Sequence, residues 1–139
     1  AVLKWPNDLL IGKAKLAGIL LEREGEVVIV GIGVNLAQAP VVAERETVSI
    51  ASLVSPPSRD AFAEELARHF DREVERWRNY GLDPLIRRWL AAAHPLGTKL
   101  VSDGLKGAFA GLTSEGALQL RLADGELRTI HAGEVNLAD

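Results

Sequence analysis

The chain has 139 residues, of which 47% are hydrophobic and 25% charged, as in an ordinary globular protein of one domain or two small ones. A net charge of −3 and a pI near 5.6 argue against a protein that coats nucleic acid, since such proteins carry a strongly basic face. The absence of cysteine excludes disulfides and thiolate metal sites, and the three histidines have no ligand-like spacing. The sequence shows neither a bilayer-spanning apolar run nor a signal peptide, so we expect a cytoplasmic protein that does not bind membranes.

The first 35 residues contain extended apolar stretches that predict a sheet. A strand ends at Lys4, and the pair Glu24-Gly25 predicts the turn between two later strands. The continuous β-branched run at residues 27–30 is typical of a strand covered on both faces. We predict a mixed sheet, with strands at residues 1–3, 9–11, 16–23 and 26–34.

Residues 37–57 show no sustained period and mix charged with small apolar residues. We predict a long loop there, with a short helix near residues 49–54. Long loops beside a sheet often carry binding residues.

From Ser58 onward the apolar residues recur at three- and four-residue spacing, which predicts an amphipathic helix. Ser58 is a suitable N-cap, and Gly81 is a suitable residue to end the helix. A second helix is predicted over residues 84–93, and Trp77 and Trp89 are expected to be core residues. The apolar stripe of the first helix consists of Phe62, Leu66, Phe70, Val74 and Trp77.

After Pro95 short β-compatible runs alternate with turn glycines, and this spacing is typical of a small barrel. We predict a five-stranded, SH3-like module. The fold class is therefore α+β, with a mixed sheet packed with helices over residues 1–95 and an SH3-like β-barrel domain over residues 96–139.

The glycines at residues 31–35 do not form a nucleotide fingerprint, because Leu36 stands where a third glycine is required. Gly12-Lys13 is followed by Ala14, so a P-loop is excluded as well. Glycines in a strand admit the close approach of a neighbouring backbone or of a ligand, and the sequence leaves both interpretations open.

Two lysines flank an Asn-Asp pair near the start of the chain. Because Pro6 favours an extended residue before it, we expect Asn7 and Asp8 to leave a strand end with their side chains presented to a loop. Lys4 and Lys15 are either solvated edge residues or, with Asn7 and Asp8, a set that holds phosphate oxygens and a metal ion. Asn7 and Asp8 equally suit an ordinary turn.

Three blocks, in this order and at this spacing, resemble the biotin protein ligase family, also called biotin acetyl-CoA-carboxylase ligase: Lys4-Trp5-Pro6-Asn7-Asp8, then Lys15-Leu16-Ala17-Gly18-Ile19-Leu20 with Glu22, then Gly31-Ile32-Gly33-Val34-Asn35. A weaker match, at residues 47–50, is to the family's adenine-side loop. The resemblance implies the C-terminal portion of a class II synthetase-like catalytic domain followed by the family's C-terminal domain. It also implies a ligase that activates biotin with ATP to biotinyl-5'-AMP and transfers biotin to a lysine of a biotin carboxyl carrier protein.

The resemblance further implies a role for each matching residue. Lys15 is similar to the family's reactive-centre lysine, which reaches the biotin carboxyl group and the α-phosphate. Asp8 is expected to be a Mg2+ ligand. The implied ATP and adenylate contacts are Lys4, Asn7, Asp8 and Asn35, and the implied biotin contacts are Lys15, Gly18, Leu20, Gly31 and Gly33.

The sequence departs from the family at its start: the Gly-Arg-Gly-Arg-like loop that closes over the adenylate is expected upstream of Lys4 and is absent from this sequence, as are the residues of the biotin ring pocket that precede it and any N-terminal DNA-binding domain. The chain begins at Ala1 and contains no methionine, so we expect a fragment of the enzyme. The alternative is a non-catalytic module that binds the carrier or forms oligomers, and homodimerisation through the sheet stays open. A lipoate-attaching enzyme shares the sheet layout, but the Lys-Trp-Pro-Asn-Asp block disfavours it.

Overall fold

The computed structural model describes residues 1–43 and 45–138, and the chain divides into two compact units, Ala1–Glu75 and Arg76–Asp139. The predicted domain boundary between residues 95 and 96 stays a prediction. The first unit contains a four-stranded sheet whose spatial order follows the chain. Its strands are β1 (Val2–Lys4), β2 (Asp8–Ile11), β3 (Ala14–Glu24) and β4 (Val27–Val34).

All strand pairs of the first sheet are antiparallel, as expected for strands joined by tight turns. Gly12 and Gly25 adopt positive φ angles of 60° and 61° in the two turns that flank β3. Thr47, in the loop after β4, forms an isolated parallel bridge with Lys15 of β3. The loop after β4 therefore returns to the sheet beside β3.

The outer part of the β3–β4 hairpin differs from the prediction. Residues 27–30 were expected to be covered on both faces, but Val27 is 63% exposed and Val30 is 37% exposed. Leu20 and Leu21, on opposite faces of β3, are 61% and 63% exposed. The prediction was wrong for the described residues, because a continuous apolar run reports only that both faces are apolar. It does not report that another layer lies over them.

The two helices form where the sequence predicts them, as α1 (Arg59–Tyr80) and α2 (Asp83–Ala92). The backbone N–H of Ala61 donates a hydrogen bond to Ser58 Oγ at 3.2 Å, which confirms the N-cap. The backbone N–H of Gly81 donates to the Trp77 carbonyl at 2.8 Å, and its φ of 74° ends the helix. A 3-10 turn at Ile50–Ser52 is the predicted short helix.

The prediction that Trp77 is a core residue was wrong. Trp77 is 53% exposed and Phe70 42%, and α1 has no buried residue among those the structure describes. Helical periodicity identifies an apolar face but not the surface that covers it. Trp89 is half-buried and meets the Phe109 ring edge-on, with centroids 6.4 Å apart.

In the described part of the chain, no helix is long and apolar enough to cross a membrane.

The second unit contains the predicted five-stranded β module, with the spatial order β8-β7-β6-β5-β9. Its innermost side chains, Leu118, Leu120 and Val135, are at most 1% exposed. The fifth strand follows the turn at Gly133 and pairs with the first strand of the module. The strands are β5 (Lys99–Ser102), β6 (Leu105–Leu112), β7 (Leu118–Arg121), β8 (Leu127–Ile130) and β9 (Val135–Leu137).

Gly107 of β6 lies where a side chain has no room. A Cβ atom there would lie 2.6 Å from Leu120 Cγ and 2.7 Å from the Arg121 carbonyl oxygen. We expect Gly107→Ala to lower the free energy of unfolding by about 1–3 kcal/mol, because the backbone of β7 has to shift. Urea denaturation measures the change. Gly31→Ala is the control, since a Cβ there meets only ordinary contacts at 3.7 Å and beyond, and equal effects in the two variants would contradict the steric explanation.

Candidate functional site

The Lys-Trp-Pro-Asn-Asp block forms the β1–β2 hairpin. Lys4 and Asp8 are paired across the two strands, and Trp5, Pro6 and Asn7 make the turn, with a cis Trp5–Pro6 peptide bond. Asp8 is therefore the first residue of β2 and is 7% exposed, whereas the sequence predicted a side chain presented to a loop. The extended pairing with Lys4 explains the difference, because it directs Asp8 onto a face of the sheet.

Four residues of the predicted site lie in one row across the sheet. Lys4 pairs with Asp8, Asp8 with Gly18, and Gly18 with Gly33. Residues paired directly across strands project to the same face. The row therefore has two charged side chains on β1 and β2 and no side chains on β3 and β4.

A β-bulge brings Lys15 to the same face. Leu9 pairs with Ala17 but Leu10 pairs with Lys15, so β3 has one extra residue, Leu16, at this point. Leu10 lies two residues after Asp8 and so shares its face. Without the bulge Leu10 would oppose Leu16, and Lys15 would project to the other face.

Asp8 is the common partner of three cations. Its carboxylate forms ion pairs with Lys15 Nζ, with the Arg45 guanidinium and, at 3.6 Å, with Lys4 Nζ. The side chains of Asp8 and Lys4 are only 6% and 10% exposed. Burial raises the pKa of Asp8, but the hydrogen bond from Lys15 and the charges of Lys15, Arg45 and Lys4 together leave that pKa below its usual value. The cluster has more positive than negative charge and is suited to an anionic ligand.

Arg45 was not singled out from the sequence. It lies in the loop after β4, where one arginine among small and charged residues gives no motif. Arg45 can be identified only from the tertiary structure, because the loop that carries it returns to β3 beside Lys15. Lys15 N–H donates to the Glu46 carbonyl at 2.9 Å, and Val48 N–H donates to the Lys15 carbonyl at 3.0 Å.

The side chains of Asn35 and Asn7 both form hydrogen bonds with backbone carbonyl groups. The Asn35 side-chain amide donates to the carbonyls of Lys15, at 3.3 Å, and Val48, at 3.0 Å, and so joins β3 to the returning loop. The Asn7 side-chain amide donates to the Ile19 carbonyl at 2.6 Å, and the Asn7 carbonyl accepts from Ile19 N–H at 2.9 Å. Direct ligand contacts by these two residues stay predictions.

The glycines of the site serve different purposes. A Cβ at Gly18 would lie 2.8 Å from Lys15 Nζ, so this glycine leaves room for the lysine side chain to reach Asp8. A Cβ at Gly31 or Gly33 would meet nothing closer than 3.7 Å in the described chain. A close approach of other protein atoms is therefore not the reason that Gly31 and Gly33 lack side chains. With Leu20, which pairs with Gly31, they leave an open surface that we call the glycine shelf: Gly18, Leu20, Gly31 and Gly33.

Family models match both ends of the chain. Residues 1–37 match the biotin/lipoate A/B protein ligase family, and residues 102–137 match the biotin protein ligase C terminal domain. A biotin--[acetyl-CoA-carboxylase] ligase of Paracoccus denitrificans is 38% identical over 153 residues, which is 96% of this chain and 61% of that protein. The chain belongs to the biotin protein ligase family. It spans less than two thirds of the curated family members that it matches.

Solved biotin protein ligases share the fold of this family member. The enzyme of Aquifex aeolicus in complex with biotin and ATP is 21% identical, with a TM-score of 0.84 over 99% of this chain and 62% of that one. The enzyme of Leishmania major in complex with biotinyl-5-AMP is 29% identical, with a TM-score of 0.55 over 94% and 56%. These likenesses confirm the predicted fold class, α+β with an SH3-like domain at the C-terminal end.

Proposed function

We propose that this chain carries the phosphate side and part of the biotin side of an adenylation site. The protein would join biotin to ATP, forming biotinyl-5'-AMP and pyrophosphate, and pass biotin to a lysine of a carboxyl carrier protein. The observation that carries the proposal is the single face that combines Lys15, Lys4 and Arg45 around Asp8 with the glycine shelf beside them. The biotin and ATP in the Aquifex complex and the adenylate in the Leishmania complex support it.

The geometry is suited to a ligand with an anionic group at one end and a flat, largely apolar group at the other. The cations would bind the carboxylate and phosphate oxygens, and biotin would lie on the glycine shelf. In the first step a biotin carboxylate oxygen bonds to the α-phosphorus, and the bond from that phosphorus to the bridging oxygen breaks to release pyrophosphate. The Lys15 ammonium stabilises the charge on both reacting groups.

In the second step the neutral amine of the carrier lysine attacks the acyl carbon of the adenylate. The bond from that carbon to the phosphate oxygen breaks, AMP leaves, and the new amide gives up a proton. Lys15 remains next to the phosphate that departs, so the same cation assists both steps. The carrier protein as a partner comes from the family's name for the reaction.

Mg2+ is proposed only as part of the MgATP substrate. No cluster of three or more His, Cys, Asp or Glu side chains capable of holding a metal occurs in the described ranges. Asp8 is a single carboxylate already paired with cations. It fits one protein ligand of an ion whose other ligands are phosphate oxygens and water, the usual arrangement for magnesium. The ion would neutralise the phosphates.

The glycine shelf makes a prediction that separates ligand binding from folding. Because a Cβ at Gly33 meets only the Gly18 carbonyl, at 3.9 Å, we expect Gly33→Leu to fold normally and to weaken biotin binding by about tenfold or more. Isothermal titration calorimetry on the full-length protein measures the affinity. Ile32→Val is the control, since that side chain projects from the opposite face. If Gly33→Leu bound biotin with unchanged affinity, the glycine shelf would not be part of the biotin site.

The proposal as a whole is tested by biotin-dependent exchange of labelled pyrophosphate into ATP, with the full-length protein. We expect exchange that requires both biotin and MgATP. If neither substrate binds and no exchange occurs, the alternative of a non-catalytic carrier-binding or oligomerisation module replaces it. Homodimerisation and a cytoplasmic location remain predictions.

A further inference from the structure

The outer face of the SH3-like module carries three cations in a confined area. Lys99 pairs with Ala108, and Ala108 pairs with Arg121, so one cross-strand row joins β5, β6 and β7. Neighbouring strands lie about 4.8 Å apart, which puts the Lys99 and Arg121 backbones about 10 Å from each other. Lys106 lies two residues before Ala108 and shares its face.

None of these cations has a carboxylate partner among residues 1–43 and 45–138. The described ion pairs involve other residues, and the hydrogen bond from Arg121 goes to the Gly125 carbonyl at 3.4 Å. This cluster of three cations is positively charged, whereas the whole chain has a net charge of −3. Unpaired like charges repel one another and favour an anionic partner.

The cations border a groove of about 730 Å3. Between them the groove is lined by Ala108, which lies in the row between Lys99 and Arg121, and by Val101, which pairs with Lys106 on the same face. Its volume falls within the usual range of ligand sites, and an apolar floor with a charged rim is typical of sites that recognise peptides.

We infer that this groove, defined by Lys99, Lys106 and Arg121, binds an acidic polypeptide segment in which carboxylates flank an apolar side chain. Carboxylates would pair with the three cations, and the apolar residue would cover the floor. Nucleic acid fits less well, because a chain of phosphates is bound by an extended basic face, whereas this cluster has three cations and the protein has a net charge of −3. The inference does not rest on the adenylation chemistry, because all its residues lie in the second unit.

The test uses fluorescence anisotropy of the full-length protein with a short labelled peptide of glutamate and leucine. We expect saturable binding that weakens as salt is raised, and about tenfold weaker binding by the triple variant Lys99→Ala/Lys106→Ala/Arg121→Ala. The variant Arg23→Ala/Arg59→Ala/Arg78→Ala removes the same charge from exposed positions elsewhere and is expected to bind like the wild type. Circular dichroism checks that each variant is folded.

Three results with the glutamate peptide, and a fourth with its glutamine counterpart, would overturn the inference. The first three are no binding of the glutamate peptide by the wild type, an equal loss in both triple variants, and tighter binding of labelled oligothymidylate than of the peptide. A peptide with glutamine in place of glutamate is expected to bind poorly, and equal binding of the two peptides would show that the cations are not involved. Biotin titrations of the same variants are expected to match the wild type. Failure of the adenylation site therefore stays distinguishable from failure of the groove.

Discussion

Lys15→Ala is expected to slow formation of biotinyl-5'-AMP by about 10²–10³-fold, the usual cost of removing one preorganised group that stabilises charge in a transition state. Lys15 is 26% exposed at its side chain, and both its backbone N–H and its carbonyl are fixed by the loop beside it. The ion pair with Asp8 holds the ammonium in a defined position before substrates arrive. Pyrophosphate exchange and direct chromatography of the adenylate measure the rate.

The matched control is Lys13→Ala, which removes an exposed lysine from the turn between β2 and β3. We expect this variant to keep the wild-type rate. Lys15→Ala should stay folded by circular dichroism, since its partner Asp8 keeps two other cations. A folded Lys15→Ala protein that forms adenylate at the wild-type rate would show that the role given to Lys15 is wrong.

Asp8→Asn is expected to lower the free energy of unfolding by about 1–3 kcal/mol, because a buried carboxylate bonded to charged groups is lost. The variant leaves Lys4, Lys15 and Arg45 facing one another with no carboxylate between them. We also expect MgATP to bind about 10–100-fold more weakly, the range observed when a group that positions ligands is removed. Urea denaturation and calorimetry give the two quantities. Unchanged values for both would contradict the charge cluster.

The lowered pKa of Asp8 gives this prediction a pH dependence with a definite sign. An aspartate whose folded pKa lies below the unfolded value of 3.8 contributes stability at pH values above 3.8. That contribution is lost as the pH falls from 3.8 through the folded pKa. The wild type should therefore lose more stability than Asp8→Asn on acidification below that value. Parallel acid unfolding curves for the two proteins would count against the ion pairs.

Arg45→Ala tests the cation that the sequence did not reveal. We expect a raised KM for ATP, by about tenfold, with little change in biotin affinity, because Arg45 pairs with Asp8 on the charged side of the site, away from Gly31 and Gly33. Arg23→Ala is the control, since Arg23 lies in β3 away from this cluster and donates to the Gly25 carbonyl. An equal rise in KM for both substrates would instead indicate a general effect on the fold.

Local chemistry in the sequence predicted much of the fold. Glycines at the turns, Ser58 at the helix start and Gly81 at the helix end act through their own backbone, so neighbours in the chain reveal them. Burial was harder to predict. Residues 27–30 and Trp77 are exposed although their patterns are apolar. An apolar pattern shows that a surface would be stabilised by burial, whereas actual burial depends on which other surface packs against it.

The sequence by itself predicted that Lys4, Asp8 and Lys15 belong to one site, because their order and spacing resemble those of a ligase family. Only the tertiary structure decided how they meet. The one-residue bulge at Leu16 turns Lys15 onto the face of Asp8, and the returning loop adds Arg45 to the same carboxylate. Both depend on pairing between strands and on contacts between residues distant in the chain. A residue's own neighbours in the sequence do not specify such contacts.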